Sequence, residues 1–434
     1  MKKGLIYLIL LIATINCYAN RLTSEESVLL KKAYSEQNYF VLDNLMRTVR
    51  FDKRNPDLVL YKALLDNVFN RPEESNKFIN SLLINYPKYF NDSTNAELYS
   101  MRVDNNFRLQ DYKKAYDDNL TIINKYKHVC DSSEIESYKN INLLIHSLFE
   151  APKMEISKRT NSRIPLKRDK AHLFNIPVTI DNDTIDFVFD TGANFSTITQ
   201  SLAKKYSVKI VGEKVNIGSA NGMIVESEIG LATIKLNNIE VKNVVFLVMP
   251  DSALSLGKGT YVIKGIVGFP VIYALQEFTI KDDKYLIISE KSEITKKSEI
   301  NNFALEGLMP IIRVVYKNDI LPFHFDTGAV KTDLFSFFFN KYKNDIIGNS
   351  TKKKQKFGSA GGEVESECYI LKSINLSAGN SNCTIDSLRV TEKDLMGNEV
   401  KYVYGNFGQD YIKQFSEMKM NFDSMSIIFS NKKK

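Results

Sequence analysis

The hydrophobic and polar positions divide the chain into two regions with different periods. Between residues 21 and 150, apolar residues recur at intervals of three and four, as in the run from Leu58 to Val68, which is typical of amphipathic helices. Pro56 and Pro72 lie where helices of this region begin. From about residue 166 onward, apolar and polar residues alternate with the period of β-strands. The pattern predicts a multidomain α + β protein, with a helical N-terminal region followed by a mainly β region.

The helical region contains an internal repeat with an offset of 38 residues. The repeated positions are Leu60-Tyr61, Asp66-Asn67, Phe69 and Leu82, which return as Leu98-Tyr99, Asp104-Asn105, Phe107 and Leu120. Two helix pairs with flanking capping helices resemble tetratricopeptide repeats, although the small residues of that motif are mostly absent. Residues 20–150 are therefore expected to form a tetratricopeptide-like domain that docks a protein partner. The alternative is a helical pro-region that inhibits, or a domain that only packs.

A sharper repeat organises the β-rich region. An apolar strand that ends in Asp-Thr-Gly-Ala occurs at 187–193 and again at 323–329. A glycine-rich segment follows each copy, and 47 positions separate Gly218 from Gly265 and Gly358 from Gly405. Two copies in matching surroundings indicate an internal duplication of a β-rich unit. A single Asp at the end of a strand would more simply be a turn residue, but the repetition of its surroundings favours a site.

The two carboxyls suggest acid–base chemistry. Two carboxyls a hydrogen bond apart cannot both ionise easily, so the pair of Asp190 and Asp326 would hold one proton. Such a pair can take a proton from water and give one to a carbonyl oxygen or an amine, and its titration belongs to both residues. We therefore expect Asp190 and Asp326 to be catalytic, with the tight turns made by Gly192 and Gly328.

These residues resemble the aspartic proteases, specifically the retropepsin-like bacterial type with Ala after Asp-Thr-Gly, over residues 166–432. The resemblance implies two homologous mainly-β lobes, a polypeptide substrate and an active site complete in one chain. It implies active-site support from Thr191, Gly192, Ala193, Thr327, Gly328 and Ala329. It implies flaps that cover substrate, built from Gly218, Ser219, Ala220, Asn221, Gly222, Gly358, Ser359, Ala360, Gly361 and Gly362; plain exposed hairpins are the alternative. It also implies structural glycine segments at Ile266, Val267, Gly268, Phe407 and Gly408, where Asn406 departs from the apolar residue of the pattern.

Composition and charge exclude several other classes of site. The net charge of +7 is spread along the sequence, and no nucleic-acid motif is present. The four histidines are scattered, so zinc sites and Ser/His triads lack their residues. We expect no metal and no cofactor. His324 lies two residues before Asp326 on the same strand face, where a packing or supporting role is favoured.

The first 19 residues have the features of a secretory signal. A basic pair at positions 2 and 3 precedes an apolar stretch from 5 to 15 that is too short to span a membrane comfortably. Cleavage after Ala19 predicts a periplasmic or extracellular protein, whereas lipidation of Cys17 would anchor it to a membrane. The remaining cysteines are Cys130, Cys368 and Cys383, and buried unpaired thiols are favoured over a Cys368–Cys383 disulfide.

The expected organisation is a signal peptide at 1–19, the helical domain at 20–150 and a linker at 151–165. A first protease lobe at 166–290, a second linker at 291–305 and a second lobe at 306–432 follow. The predicted function is an exported aspartic endopeptidase. The alternative is a non-catalytic protein that binds peptides in the same cleft and through the helical repeats.

Overall fold

The computed structural model describes residues 22–158, 160–218, 223–256, 259–291, 301–359, 362–393 and 402–431. The N-terminal region is helical and the rest is mainly β-sheet, as the hydrophobic pattern predicts. The helical region contains α1 (Ser24–Ser35), α2 (Tyr39–Thr48), α3 (Pro56–Val68), α4 (Pro72–Asn85), α5 (Asp92–Arg108), α6 (Tyr112–Thr121) and α7 (Ser132–Ser147). None of the helices in these ranges is long and apolar enough to cross a membrane. The predicted signal lies outside the described residues.

Local sequence explains where these helices begin. Thr23 and Asp131 form capping boxes at the starts of α1 and α7, which satisfy backbone amides that have no partner within the helix. The Asn55 side chain accepts from the first amides of α3, and prolines occupy the first turns of α3 and α4, as expected from the sequence.

The helical repeat has a structural basis. The equivalent residues Asn67 and Asn105 are buried on α3 and α5 and hydrogen-bond to each other, from Nδ2 to Oδ1 at 2.9 Å. Asn105 also donates to Ser75 on α4, whose hydroxyl donates to the carbonyl of Ala63. The repeated asparagines therefore join successive helices, and this packing role accounts for their recurrence.

Within the described ranges, the β-rich region contains twenty-four strands, five short α-helices and a 3-10 turn at Asp251–Leu254. The first fourteen strands are β1 (Glu155–Lys158), β2 (Ser162–Pro165), β3 (Lys167–Arg168), β4 (Phe174–Ile180), β5 (Asp183–Phe189), β6 (Ser196–Thr199), β7 (Lys209–Gly218), β8 (Ile224–Leu236), β9 (Ile239–Met249), β10 (Ser255–Leu256), β11 (Tyr261–Val262), β12 (Gly265–Val267), β13 (Glu277–Lys281) and β14 (Tyr285–Ile288). The others are β15 (Phe303–Glu306), β16 (Met309–Tyr316), β17 (Asp319–Phe325), β18 (Asp333–Leu334), β19 (Ser350–Ser359), β20 (Gly362–Ala378), β21 (Ser381–Val390), β22 (Gly405–Phe407), β23 (Glu417–Asn421) and β24 (Ser426–Ser430). The helices are α8 (Gln200–Lys205), α9 (Phe269–Ala274), α10 (Ser336–Lys341), α11 (Lys343–Asn349) and α12 (Gln409–Ile412).

Two large sheets follow one pairing scheme around their central strands. The first sheet has the order β1-β9-β6-β12-β5-β4-β8-β7, with β3 on β4, and the second has the order β15-β16-β17-β22-β18-β21-β20-β19. In each, the strand that precedes Asp-Thr-Gly runs parallel to a short glycine-flanked strand, β5 beside β12 and β17 beside β22. In each, that short strand also pairs antiparallel with the strand that follows the Asp loop, β6 or β18.

A third sheet joins the two halves of the β region. Its order is β2-β14-β13-β23-β24, so strands from both halves pair directly at β13 and β23. The predicted linkers are consequently not plain connectors. Residues 151–165 contain β1, which pairs with β9, and β2, which pairs with β14. The end of the 291–305 segment forms β15 on β16, whereas residues 292–300 lie outside the described ranges. Burial of Ile164 and Phe303, both 0% exposed, explains why these segments are held as strands.

The helical region packs on both large sheets. Leu144 and Ile145 of α7 share a hydrophobic cluster with Val215 and Ile229 of the β7–β8 hairpin. At the other end, α2 lies against β17 and α3 against β15. The helices are thus part of one continuous packed structure with the β region.

Candidate active site

The two Asp loops are held by matching backbone bonds. The amide of Asp190, after β5, donates to the carbonyl of Val267 at 3.1 Å, and the amide of Asp326, after β17, donates to that of Phe407 at 3.0 Å. The two short strands β12 and β22 therefore accept the first amide of each Asp loop. A side-chain hydrogen bond connects the two carboxyls, so the structure brings Asp190 and Asp326 together.

The glycines of the two loops permit this close approach. A Cβ atom on Gly328 would lie 2.3 Å from Asp190 Oδ2, and one on Gly192 would lie 2.6 Å from Asp326 Cγ. Either substitution would force a carboxyl to move, because real Cβ contacts are never that short. Each Gly amide also donates to the Asp Oδ1 of its own loop, at 2.8 Å for Gly192 and 2.7 Å for Gly328.

The two threonines tie the loops to each other. Thr191 Oγ1 donates to the carbonyl of Phe325 at 2.8 Å and accepts from the amide of Thr327 at 3.0 Å. Thr327 Oγ1 makes the reciprocal bonds, to the carbonyl of Phe189 at 2.8 Å and from the amide of Thr191 at 3.0 Å. Both threonines are 0% exposed. This symmetrical network joins the two loops through four buried hydrogen bonds.

The surroundings of the pair favour retention of a proton. The pKa of Asp190 is raised well above its usual value, first by burial, then by the negative charge of Asp326 and by their hydrogen bond. The amides of Gly192 and Ala193 act in the opposite direction on that pKa. A carboxyl that keeps its proton beside an acceptor is the arrangement needed for one group to act as acid and the other as base.

Asp326 has donors beyond the glycine amide. It accepts from the amide of Ala329 at 3.1 Å and, through Oδ2, from Nδ2 of Asn406 at 3.0 Å. His324 on the same strand stacks edge-on against Phe335, and burial lowers its pKa to about 4, with Asp326 acting in the opposite direction. His324 is consequently neutral above that pH, and its ring packs against that of Phe335.

The structural glycines fit close to backbone. A Cβ on Gly268 would lie 2.3 Å from the carbonyl oxygen of Phe195, and one on Gly408 would lie 2.5 Å from the carbonyl carbon of Lys331. Ile266 and Val267 lie in β12 beside β5, and Phe407 lies in β22 beside β17. The carbonyls of Ala193 and Ala329 accept from the residues after these glycines, both at 2.8 Å.

Sequence reasoning missed three polar residues that brace these segments. The hydroxyls of Ser196 and Thr332 accept from the amides of Gly268 and Gly408, each at 3.1 Å. Gln409 donates from Nε2 to the carbonyl of Thr327 at 2.6 Å. The signal for the first two was available, because Ser196 and Thr332 each lie six positions after an active Asp.

The predicted flap glycines lie at the ends of two long hairpins, β7–β8 and β19–β20. Gly218 pairs with Ile224, Gly358 pairs with Glu363, and Ser359 pairs with Gly362. The hairpin ends approach each other, since a Cβ on Gly362 would lie 3.5 Å from Met223 Sδ. The remaining predicted flap residues lie outside the described ranges; they are Ser219, Ala220, Asn221, Gly222, Ala360 and Gly361.

Among the described residues, no group of three His, Cys, Asp or Glu side chains could hold a metal ion. Cys368 and Cys383 are buried free thiols, and Cys130 is a partly buried one. Cys17 lies outside the described ranges.

The comparison with known families agrees with this geometry. The model of a family described as aspartyl protease, in the pepsin-like clan, matches residues 176–271, from β4 into α9. The match therefore covers most of the first half of the β region. It includes Asp190, the β7–β8 hairpin and Gly268, so the resemblance to aspartyl proteases is confirmed at the level of the family model. No curated protein matches the chain.

Proposed function

We propose that this protein is an aspartic endopeptidase in which Asp190 and Asp326 activate the attacking water. The observation that supports it most directly is the reciprocal network of Thr191 and Thr327, which holds two carboxyls in hydrogen-bonding reach. A turn residue would need no such cross-loop fixation. The family match at 176–271 supports the same chemistry for the first half of the site.

The reaction follows from one shared proton. The ionised carboxylate takes a proton from water as the water oxygen attacks the peptide carbonyl, while the protonated carboxyl gives its proton to the carbonyl oxygen. The tetrahedral intermediate collapses when the carboxyl that took the proton of water gives it to the amine nitrogen and the C–N bond breaks. A hydroxyl of the intermediate returns its proton to the other carboxylate. The pair ends with one proton, as it began, and no covalent bond to the enzyme forms.

The hairpins would hold an extended polypeptide over this pair. The β7–β8 and β19–β20 hairpins approach each other at Met223 and Gly362. An extended substrate beneath them would gain strand-like backbone hydrogen bonds, and closure would exclude bulk water. Both hairpins are therefore proposed to be flaps.

The finer organisation is proposed on the same grounds. We infer that the two large sheets are duplicated retropepsin-like lobes, supported by the parallel pairs β5–β12 and β17–β22. The helical region is proposed to be tetratricopeptide-like, supported by the Asn67–Asn105 bond across one repeat. Export to the periplasm or beyond is proposed from the sequence at 1–19, and N-terminal sequencing of mature protein from cell fractions would test it, together with lipidation of Cys17.

The test of the catalytic proposal is cleavage of a peptide library by the full mature chain from pH 3 to 8. We expect cleavage by the parent and at least a thousandfold loss, on the order expected for a missing acid–base partner, in both Asp190→Asn and Asp326→Asn. Both variants keep the size and the hydrogen-bonding capacity of the side chain, and melting curves would verify that they fold. A folded parent that binds library peptides and cuts none of them would refute the protease and favour a peptide clamp.

A further inference from the structure

The two halves of the site differ at one pair of facing residues. In the first half, Val188 of β5 pairs with Ile266 of β12, and both are aliphatic. In the second half, His324 of β17 pairs with Asn406 of β22. The backbone arrangement is the same in both, so the duplication has kept its geometry while changing the chemistry beside only one carboxyl.

We propose that Asn406 is a positioning residue that fixes the shared proton of the pair on Asp190 by donating a hydrogen bond to Asp326. This inference rests on the proposed protease function and assigns its acid and its base. Asp190 would be the protonated member that gives its proton to the substrate carbonyl, and Asp326 would be the carboxylate that takes the proton of water.

The donors around the two carboxyls support this assignment. Each carboxyl accepts from a Gly amide of its own loop. Among the described residues, only Asp326 also faces a side-chain amide, with Nδ2 of Asn406 at 3.0 Å from Oδ2. An ionised carboxylate only accepts hydrogen bonds, so each added donor favours its ionised form. Ile266, at the matching position, has no donor to offer Asp190. The raised pKa of Asp190 agrees with the same distribution of charge.

Burial of the Asn406 side chain is energetically unfavourable, and a residue that only packs would avoid this cost. Asn406 Oδ1 is buried and has no hydrogen-bond partner among the described residues. An unpaired buried acceptor is unfavourable, and an aliphatic side chain such as that of Ile266 would avoid it. The bond to the Asp326 carboxylate offsets this cost, because hydrogen bonds to charged groups are stronger than neutral ones.

Other charged groups do not account for the asymmetry. His324 is neutral above about pH 4, because burial lowers its pKa to that value. Asp333, on the strand that pairs with β22, is held in an ion pair by Arg389 at 2.5 Å, so it brings no unbalanced charge. The titratable groups on the paired strands and beside them are Asp319, His324, Asp333, Asp190, Asp326, Lys331, Arg389 and Asp410. Asp319 lies at the other end of β17, where it forms an ion pair with Lys341 at 3.1 Å.

The matched variants are Asn406→Leu, which removes the donor at nearly constant shape, and Ile266→Asn, which places a donor beside Asp190. The full chain, labelled with ¹³C at the Asp carboxyl carbons, is titrated by NMR, with Asp190→Asn and Asp326→Asn to assign the two signals. In the parent, the Asp326 carbon should report the first ionisation of the pair. In Asn406→Leu that ionisation should move up by about one pH unit, the size of one hydrogen bond to a charged group.

The double variant reverses the arrangement and provides the sharpest outcome. With the donor moved from position 406 to position 266, the Asp190 carbon should report the first ionisation. In peptide cleavage, the acid limb of kcat/KM for Asn406→Leu should shift upward by the same amount as the NMR titration, with the alkaline limb unchanged. A residue that only packs would lower activity at every pH and move neither limb.

The outcomes separate this inference from the proposed function. If folded Asn406→Leu leaves the first ionisation in place, or the parent ionises first at Asp190, Asn406 has no such role even though the protein cuts peptides. If the titrations behave as expected and no peptide is cut, the positioning role stands and the protease does not. If Asn406→Leu fails to fold, Ile266→Asn provides the test. The donor that it adds beside Asp190 should lower the pH of the second ionisation of the pair. An unchanged titration would overturn the inference.

Discussion

Replacement of Thr191 by Val tests the link between the two Asp loops. Val has the shape of Thr without the hydroxyl, so the change removes the 2.8 Å bond to the carbonyl of Phe325 and the 3.0 Å bond from the amide of Thr327. Both partners stay buried without their hydrogen bond. With about 1 kcal/mol for each bond and a further penalty for the buried groups, unfolding should become easier by about 2–4 kcal/mol.

The matched controls are Thr191→Ser and Thr327→Val. Ser keeps the hydroxyl and loses one buried methyl group, which should cost only about 1 kcal/mol. Thr327→Val removes bonds of the same two lengths from the other loop, so its effect should equal that of Thr191→Val. Urea unfolding of the full chain measures each change, and peptide cleavage at the pH optimum measures the catalytic effect. Loss of loop register should lower kcat by about 100-fold in the Val variants.

Equal behaviour of the Val and Ser variants would contradict the role assigned to the hydroxyl. If Thr191→Val is as stable and as active as Thr191→Ser, the hydroxyl bonds do not hold the loops. A loss at Thr191 without a comparable loss at Thr327 would instead show that the network is not symmetrical in solution.

Three further predictions concern two tightly packed glycines and one buried carboxyl. Gly328→Ala should abolish cleavage with little loss of melting temperature, because its Cβ would lie 2.3 Å from Asp190 Oδ2 and displace that carboxyl; activity near the parent level would exclude this close approach. Burial raises the pKa of Glu306 from 4.5 to about 7, so its stabilising protonated form is complete below pH 4.5 and lost as the pH rises through 7. Glu306→Gln should therefore raise the melting temperature at pH 8 and leave it unchanged at pH 4, and an equal effect at both would contradict the assignment. Gly212→Ala should detach α7 from β7, since its Cβ would lie 1.8 Å from Ser147 Oγ, and faster proteolysis at the α7–β7 contact than in the parent would reveal it.

The sequence was sufficient to predict the parts of the site that repeat. Asp190 and Asp326, their glycines and the segments at Gly268 and Gly408 stand out because they recur in the same order, with 50 positions both from Gly218 to Gly268 and from Gly358 to Gly408. The repeat therefore allows two loops of one chain to be compared, which a single loop would not. The same comparison could have led to Ser196, which matches Thr332, had hydroxyls been compared as well as glycines.

The sequence could not predict what depends on distant pairing. Ile164 lies in a polar segment that looked like a linker, but it pairs with Leu286, more than a hundred positions away. The residues at 162–165 do not identify that partner by themselves. The stability of a strand depends on packing against its neighbours in the sheet, which are distant in sequence here. Asn406 is the opposite case. Its departure from the pattern was visible, but its meaning required the 3.0 Å contact with Asp326.

Two separate sets of contacts join the two halves of the β region. A substitution in one Asp loop can therefore remove only one of these sets. The first set is the threonine network between the Asp loops. The second is the antiparallel pairing of β13 with β23, in which Glu277–Lys281 pairs with Glu417–Asn421. The β13–β23 pairing also includes a buried hydrogen bond from Asn421 Nδ2 to Glu277 Oε2 at 2.7 Å. Because the shared sheet would remain intact in Thr191→Val, the halves should stay together while the loops lose register. The expected result is a folded protein with slow catalysis, whereas breaking the Asn421–Glu277 bond should reduce stability first and activity only as a consequence.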